Sequence, residues 1–195
     1  KFFILFPTAD QTVLVTANVP ETVIETGAMK REDIERVLSS ASTVAVIAVR
    51  DLYKLGYVGA FKEAGRVAGT AKLYTLDGKL AADTKGSARP ALIVAPSIDK
   101  RPIGDAVEAA KRLLQSLTGY RDFAPKPPIP VEIAGMSGIE IEAEAIEQQT
   151  SAKMLIYQVL LLAKDGGYYR LVGMAPQEDA DKLRPEFQLI ANSLT

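Results

Sequence analysis

Two apolar-rich runs, Met154–Ala163 and Tyr168–Ala175, flank the polar break Lys164-Asp165-Gly166-Gly167. This layout predicts a β-hairpin, because adjacent glycines reach the positive φ of a tight turn without a steric cost. Tyr169, Leu171 and Gly173 share one face of the outgoing strand, and Tyr168, Arg170 and Val172 share the other. Pro176 closes the strand, having no N–H for the ladder. A polar stretch follows, Gln177 to Asp181. Then Leu183, Phe187, Ile190 and Leu194 recur at helical spacing, with Pro185 expected in the first turn.

The same order appears at the other end of the chain. Phe2–Phe6 and Thr12–Val19 read as strands around a turn-rich link, and Pro20 closes the second. Ile34, Val37, Leu38 and Ala41 then form a helical stripe. Setting Pro20 against Pro176 places Val15 opposite Leu171 and Ala17 opposite Gly173. Both copies read strand, turn, strand, proline, polar link, helix, so the pattern predicts an internal repeat.

Between the copies, Thr43–Val49, Gly56–Phe61, Arg66–Leu76 and Ala91–Ala95 read as strands, with Asp77-Gly78 as a turn. Val107, Ala110, Leu113, Leu114 and Leu117 predict a helix from Asp105 to Leu117, closed by Gly119. Residues 122–130, Asp-Phe-Ala-Pro-Lys-Pro-Pro-Ile-Pro, hold four prolines and read as a stiff extended connector. Gly138–Ile146 alternates as a strand. Runs of strands with few helices between them predict an α+β fold on a largely antiparallel β-sheet.

Composition narrows the chemistry. The chain has 195 residues, a formal net charge of −1, no Cys and no His. Without imidazole or thiol, Ser-His-Asp and Cys-His devices cannot be built, nor can zinc or iron sites that need those ligands. Asp/Glu, Lys, Tyr and Ser chemistry or oxygen-ligated ions remain, and no cofactor is indicated. No Lys/Arg stripe is present, which argues against nucleic acid as a partner. The longest apolar runs are too short for a membrane-spanning helix.

Ile139-Glu-Ile-Glu-Ala-Glu-Ala145 is the most pointed stretch. Alternation places Glu140, Glu142 and Glu144 on one face, about 7 Å apart. Such a ladder is either a solvated face neutralised by a cation on the next strand, Lys164 or Arg170, or a docking face for a basic partner. A weak Ca²⁺ or Mn²⁺ site is a further reading, which no loop with calcium-ligand spacing supports. Tyr168 and Tyr169 face opposite ways, so one is expected in the core and the other free for contact. The candidate binding residues are therefore Glu140, Glu142, Glu144, Tyr168 and Arg170.

Three other signals are weak. Ser97-Ile98-Asp99-Lys100 matches S-x-x-K, but the companion K-T-G is absent and the flanking prolines predict a loop. Gly135-Met136-Ser137-Gly138 lacks the final glycine of a nucleophile elbow and reads as a turn into the Glu-bearing strand. Tyr53, Tyr57, Phe61, Tyr74, Tyr120 and Phe123 read as core or as the lining of a groove for an apolar ligand.

The set Gly-Met-Ser-Gly-Ile-Glu-Ile-Glu-Ala-Glu-Ala (135–145), the hairpin 157–176 and the closing Phe-Gln-Leu-Ile-Ala-Asn-Ser-Leu (187–194) resembles the PsbP-like fold family. That family includes the extrinsic photosystem II subunit, a Ran-binding import factor and small exported bacterial proteins, some with two units in tandem. The resemblance implies an antiparallel sheet sandwiched by helices (α/β/α), with residues 43–195 as one complete unit. Residues 1–42 would be the closing hairpin and helix of a preceding unit. It also implies a periplasmic or secreted location and a role in binding or assembly rather than catalysis.

The functional expectation is a non-catalytic interaction module acting through a sheet face or edge. Its partner is a protein or small ligand that the sequence does not identify, and a homodimer stands among the candidates. A carrier of a small apolar ligand and a carboxylate-dependent hydrolase are the alternatives.

Overall fold

The computed structural model describes residues 2–7, 12–17, 19, 21–25, 27, 29–39, 52–67, 70–79, 88–97, 100 and 102–195. Its contacts divide the chain into two units, Lys1–Val49 and Arg50–Thr195. The predicted strand 43–49 and Pro20 lie outside the described residues, as do positions 98 and 99 of the S-x-x-K stretch.

In the first unit, β1 (Phe2–Pro7) pairs antiparallel with β2 (Thr12–Ala17), Phe2 opposite Ala17. A short helix α1 (Glu21–Glu25) stands where a polar link was expected, and α2 (Arg31–Ser39) follows. Ile34 and Leu38 are the buried residues of α2, four apart on one face. Val37, expected in that stripe, is 70% exposed. The buried face of this short helix is one residue wide per turn, and Val37 lies beside it.

The second unit holds an eight-stranded sheet in which every ladder is antiparallel. Its strands are β3 (Lys62–Val67), β4 (Ala71–Thr75), β5 (Ala91–Pro96), β6 (Tyr120–Pro125), β7 (Ile129–Ile133), β8 (Met136–Glu147), β9 (Lys153–Leu162) and β10 (Tyr168–Pro176). They lie in the order β3-β4-β5-β10-β9-β8-β6, and β7 shares β8 with β6. Helix α3 (Ala106–Gln115) packs on one face of this sheet and α4 (Ala180–Asn192) on the other. The α+β sandwich expected from the sequence is the observed architecture.

β9 is buried over nearly its whole length, which explains its continuous apolar run: a central strand covered on both faces needs apolar residues at every position. Its odd-numbered residues, Leu155, Tyr157, Val159 and Leu161, join the α4-side core. Met154, Ile156 and Leu160 join the α3-side core. α3 starts where the Asp105 carboxylate accepts from the N–H groups of Val107 and Glu108, satisfying two of the donors a helix start leaves open.

Four expectations need correction. First, residues 122–130 do not form a bare connector. β6 and β7 pair with successive halves of β8, Ala124 opposite Glu144 and Ile129 opposite Glu140. The register puts Pro130 at a position whose backbone N–H would face away from β8, so a proline is tolerated there. Second, residues 56–61 are not a strand. Lys54 and Thr195 exchange backbone hydrogen bonds, Leu55 bridges Leu194, and Gly59 turns at φ +56° before β3. Third, residues 66–76 are not one strand but parts of the β3–β4 hairpin, Val67 opposite Ala71. Fourth, Pro185 lies inside α4, which begins at Ala180, so the ring removes one intrahelical N–H beyond the first turn.

The β7–β8 hairpin closes through Ala134 (φ +53°) and Gly135 (φ +71°), with Ile133 opposite Met136. Two positive φ values mark a type I′ turn, which favours Asn-Gly over Ala-Gly. Ala134→Asn is expected to raise the unfolding free energy by about 0.5–1 kcal/mol, since the short amide side chain hydrogen-bonds locally and offsets the cost that any Cβ meets in this region. Urea titration of the two proteins checks it.

Candidate functional site

The Glu-bearing strand β8 sets Glu140, Glu142 and Glu144 on the α4 side of the sheet, while Ile139, Ile141, Ala143 and Ala145 pack under α3. The alternation read from the sequence therefore places the carboxylates on a common face. Their cross-strand neighbours on β9 are Val159, Tyr157 and Leu155 in turn.

Each carboxylate has a different environment. Glu140 Oε2 accepts a hydrogen bond from the Tyr157 hydroxyl at 2.7 Å, and Gln188 of α4 approaches Oε1 at 3.5 Å. Burial, followed by the Glu140 carboxylate, pushes the Tyr157 phenol well above its ordinary range. Glu142 Oε2 pairs with Lys126 Nζ at 2.7 Å and Arg184 Nε at 3.2 Å. Arg184 also reaches Asp181 Oδ1 at 3.2 Å. Glu144 is exposed at the margin, opposite Ala124 of β6.

The cations that balance the ladder are thus Lys126 and Arg184, not Lys164 or Arg170. Neither is legible in the sequence. Lys126 sits in the β6–β7 link, and Arg184 on α4 reaches β8 only because α4 folds back across the sheet. Glu142 is only 12% exposed at its side chain, so its two ion pairs are partly shielded, whereas Asp181 is 99% exposed.

Arg170 and Tyr168 lie on the opposite, α3-facing side. Arg170 Nε donates to Gln158 Oε1 at 2.9 Å and Nη2 donates to Leu113 O at 2.6 Å. Gln158 is fully buried and its Nε2 donates to Ala110 O at 2.8 Å. This chain of bonds ties the middle of the sheet to the last turns of α3, whose carbonyl end favours a cation. Burial pushes the Arg170 guanidinium down to about 10, so it stays protonated at neutral pH. Tyr168 packs against the α3-side core and Tyr169 against the α4-side core, where its hydroxyl donates to Leu52 O at 3.0 Å. With helices on both faces, each tyrosine is partly buried and the expected core/free split does not arise. The five predicted residues therefore divide into an acidic group under α4 and a pair under α3.

The aromatic set divides as well. Tyr53, Phe61 and Tyr74 are buried on the α4 side, Tyr120 and Phe123 pack on the α3 side, and Tyr57 is exposed. They line no common groove. Phe187 of α4 fills the layer between helix and sheet, its ring centroid 5.7 Å from Phe61 and 6.1 Å from Tyr157. Around Ser97, the hydroxyl accepts from the Tyr168 N–H at 2.9 Å, while Lys100 Nζ pairs with Asp165 at 2.6 Å. That pair, chiefly its hydrogen bond, raises the Lys100 ammonium, the reverse of what a general-base lysine needs.

No family model and no curated protein matches the sequence. Solved structures do match. The solution structure of cyanobacterial PsbP (CyanoP) from Synechocystis aligns with a TM-score of 0.50 and 11% identity, over 80% of this chain and 98% of that one. The fold is PsbP-like. The Ran-binding protein Mog1p of Saccharomyces cerevisiae aligns at 0.48 and 13% identity, over 73% of this chain and 93% of that one. A Pseudomonas aeruginosa protein of unknown function aligns at 0.48 and 9%, over 100% and 97%. At these identities the likeness is one of PsbP-like architecture alone. Among the described residues, no helix is long and apolar enough to cross a membrane.

Proposed function

We propose that the PsbP-like unit is a non-catalytic interaction module that docks a basic protein segment along the α4 side of β8. The observation that supports this reading is the graded access of its carboxylates. Glu144 and Asp181 are exposed, and Glu142 beside them is held by Lys126 and Arg184, side chains that are themselves 55% and 29% exposed. A partner's Lys or Arg can add to the margin first and then exchange with Lys126. Edge pairing is disfavoured: β6 and β7 carry prolines, and β3 has a register shift between Glu63 and Gly65 beside charged residues.

An arginine- and lysine-rich peptide titrated into ¹⁵N-labelled protein is expected to shift Glu142, Glu144 and Asp181. Glu144→Gln should weaken binding about twofold to fivefold, as for a rim charge, and salt should weaken it further. Shifts confined to other surfaces would remove this reading.

For the first unit, we infer that residues 1–42 repeat the closing part of a PsbP-like unit. In support, β1–β2 with α1 and α2 follows the order of β9–β10 with its 3-10 turn and α4. A two-stranded hairpin with short helices buries little apolar surface. Removing residues 1–42 should therefore change the stability or oligomeric state on gel filtration, and an equally stable monomer would refute the inference. The proposed location outside the cytoplasm rests on the family resemblance, and cell fractionation tests it.

A further inference from the structure

Residues 124–130, Ala-Pro-Lys-Pro-Pro-Ile-Pro, form the rim of the sheet where β6 gives way to β7. All except Pro128 are exposed, and Ile129 keeps 56% of its surface in water. The local sequence fixes the backbone. Proline holds φ near about −65°, and a residue before proline is pushed to the extended or polyproline II region. Ala124, Lys126, Pro127 and Ile129 each precede a proline, so the rim is extended before any partner arrives. Lys126 also donates its backbone N–H to Glu142 O at 2.8 Å, which holds the rim against β8.

Protection of the sheet edge explains only part of this composition. Pro130 removes an outward N–H, and Pro125 closes β6. Pro127 and Pro128 lie between the two strands, outside either ladder, and protect no ladder position. They do complete two P-x-x-P spacings, Pro125/Pro128 and Pro127/Pro130, the three-residue period of a polyproline II helix.

We propose that this rim is a ligand for an aromatic-lined groove on a partner protein. The four prolines offer no N–H, so strand addition is excluded as the binding mode. Exposed rings and Ile129 on a pre-ordered backbone bind instead by stacking between aromatic side chains, with little ordering entropy to lose. Lys126, 55% exposed at its side chain, favours a groove with an acidic residue at its margin. This surface adjoins the acidic face and shares Lys126 with it, but it binds through the proline rings and Ile129 rather than the carboxylates, so it does not depend on the docking reading.

The test titrates the full ¹⁵N-labelled chain with isolated SH3 and WW domains as aromatic-groove probes. Shift changes are expected at residues 124–131 and at their neighbours on β8. Pro127→Ala/Pro130→Ala should weaken binding about tenfold, the loss expected when anchors of the contact are truncated. Pro127→Ala/Pro128→Ala, which leaves both ladders intact, should also weaken it while the protein stays folded, with only a small fall in unfolding temperature as the unfolded chain gains freedom. Glu144→Gln should leave it unaltered, separating this site from the acidic face. No shift at the rim with any probe at about millimolar concentration, the weak limit of specific recognition, overturns the proposal. So does binding that both proline pairs leave undiminished.

Discussion

Replacing Phe187 with alanine is expected to lower the unfolding free energy by about 3–5 kcal/mol, the range for emptying a buried aromatic site. The ring is fully buried, contacts Phe61 and Tyr157, and is the point at which α4 meets the centre of the sheet. The strand beneath it carries Gly173, where an added Cβ would stand 2.5 Å from Phe187 Cγ. Gly173→Ala is accordingly expected to destabilise by about 1–3 kcal/mol through overpacking. The two positions share one volume, so their effects should not add. Gly173→Ala combined with Phe187→Leu should recover part of the loss, because leucine leaves room for the new methyl. Urea unfolding of the single and double variants measures this. Strict additivity would show that helix and strand do not interlock here.

Gln158→Leu carries the second large expectation, a loss of about 2–4 kcal/mol, because it strands hydrogen-bonding groups in a dry layer. The side chain satisfies Ala110 O on α3 and receives Arg170 Nε from the neighbouring strand. With leucine there, the part-buried guanidinium keeps only its bond to Leu113 O among those described. The double variant Gln158→Leu/Arg170→Met removes donor and acceptor together and should be closer to the parent than the single one. The pH dependence has a definite sign. The folded guanidinium is depressed to about 10, chiefly by burial, from its higher ordinary value. Its charge is therefore a standing desolvation cost at neutral pH, relieved only as pH rises through about 10 toward the unfolded value. Replacing Arg170 in the double variant should flatten that part of the stability curve. A single Gln158→Leu variant as stable as the parent would show that water satisfies these groups.

The hairpin β9–β10, the helix α3 and the alternation of β8 are legible in the chain itself because each rests on local rules. Gly166, at φ +95°, permits the turn while Gly167 needs no positive φ, Asp105 caps the helix, and a period of two separates Glu140, Glu142 and Glu144 from Ile139 and Ile141. The pairing of the proline-rich stretch is not legible, for a physical reason. Proline argues against a strand only where its N–H would face a neighbour, and register decides that. The place of Pro185 is hidden in a related way, since the residues that start α4 lie in a stretch too polar to show a periodic stripe.

The candidate site lies further from reach. The carboxylate ladder is visible, but its cations come from a link and a helix that meet β8 only after the sheet has assembled. Arg170, conspicuous on an exposed-looking strand, is an internal clamp because α3 covers that face.

The sequence by itself determined the types of its strongly periodic elements, the antiparallel character of the sheet and the absence of imidazole and thiol chemistry, since these follow from short-range periodicity and from inventory. Only the tertiary structure decided which strands neighbour one another, which face each helix covers and which charges meet. Those outcomes depend on contacts between residues far apart in the chain, where no local pattern records the partner.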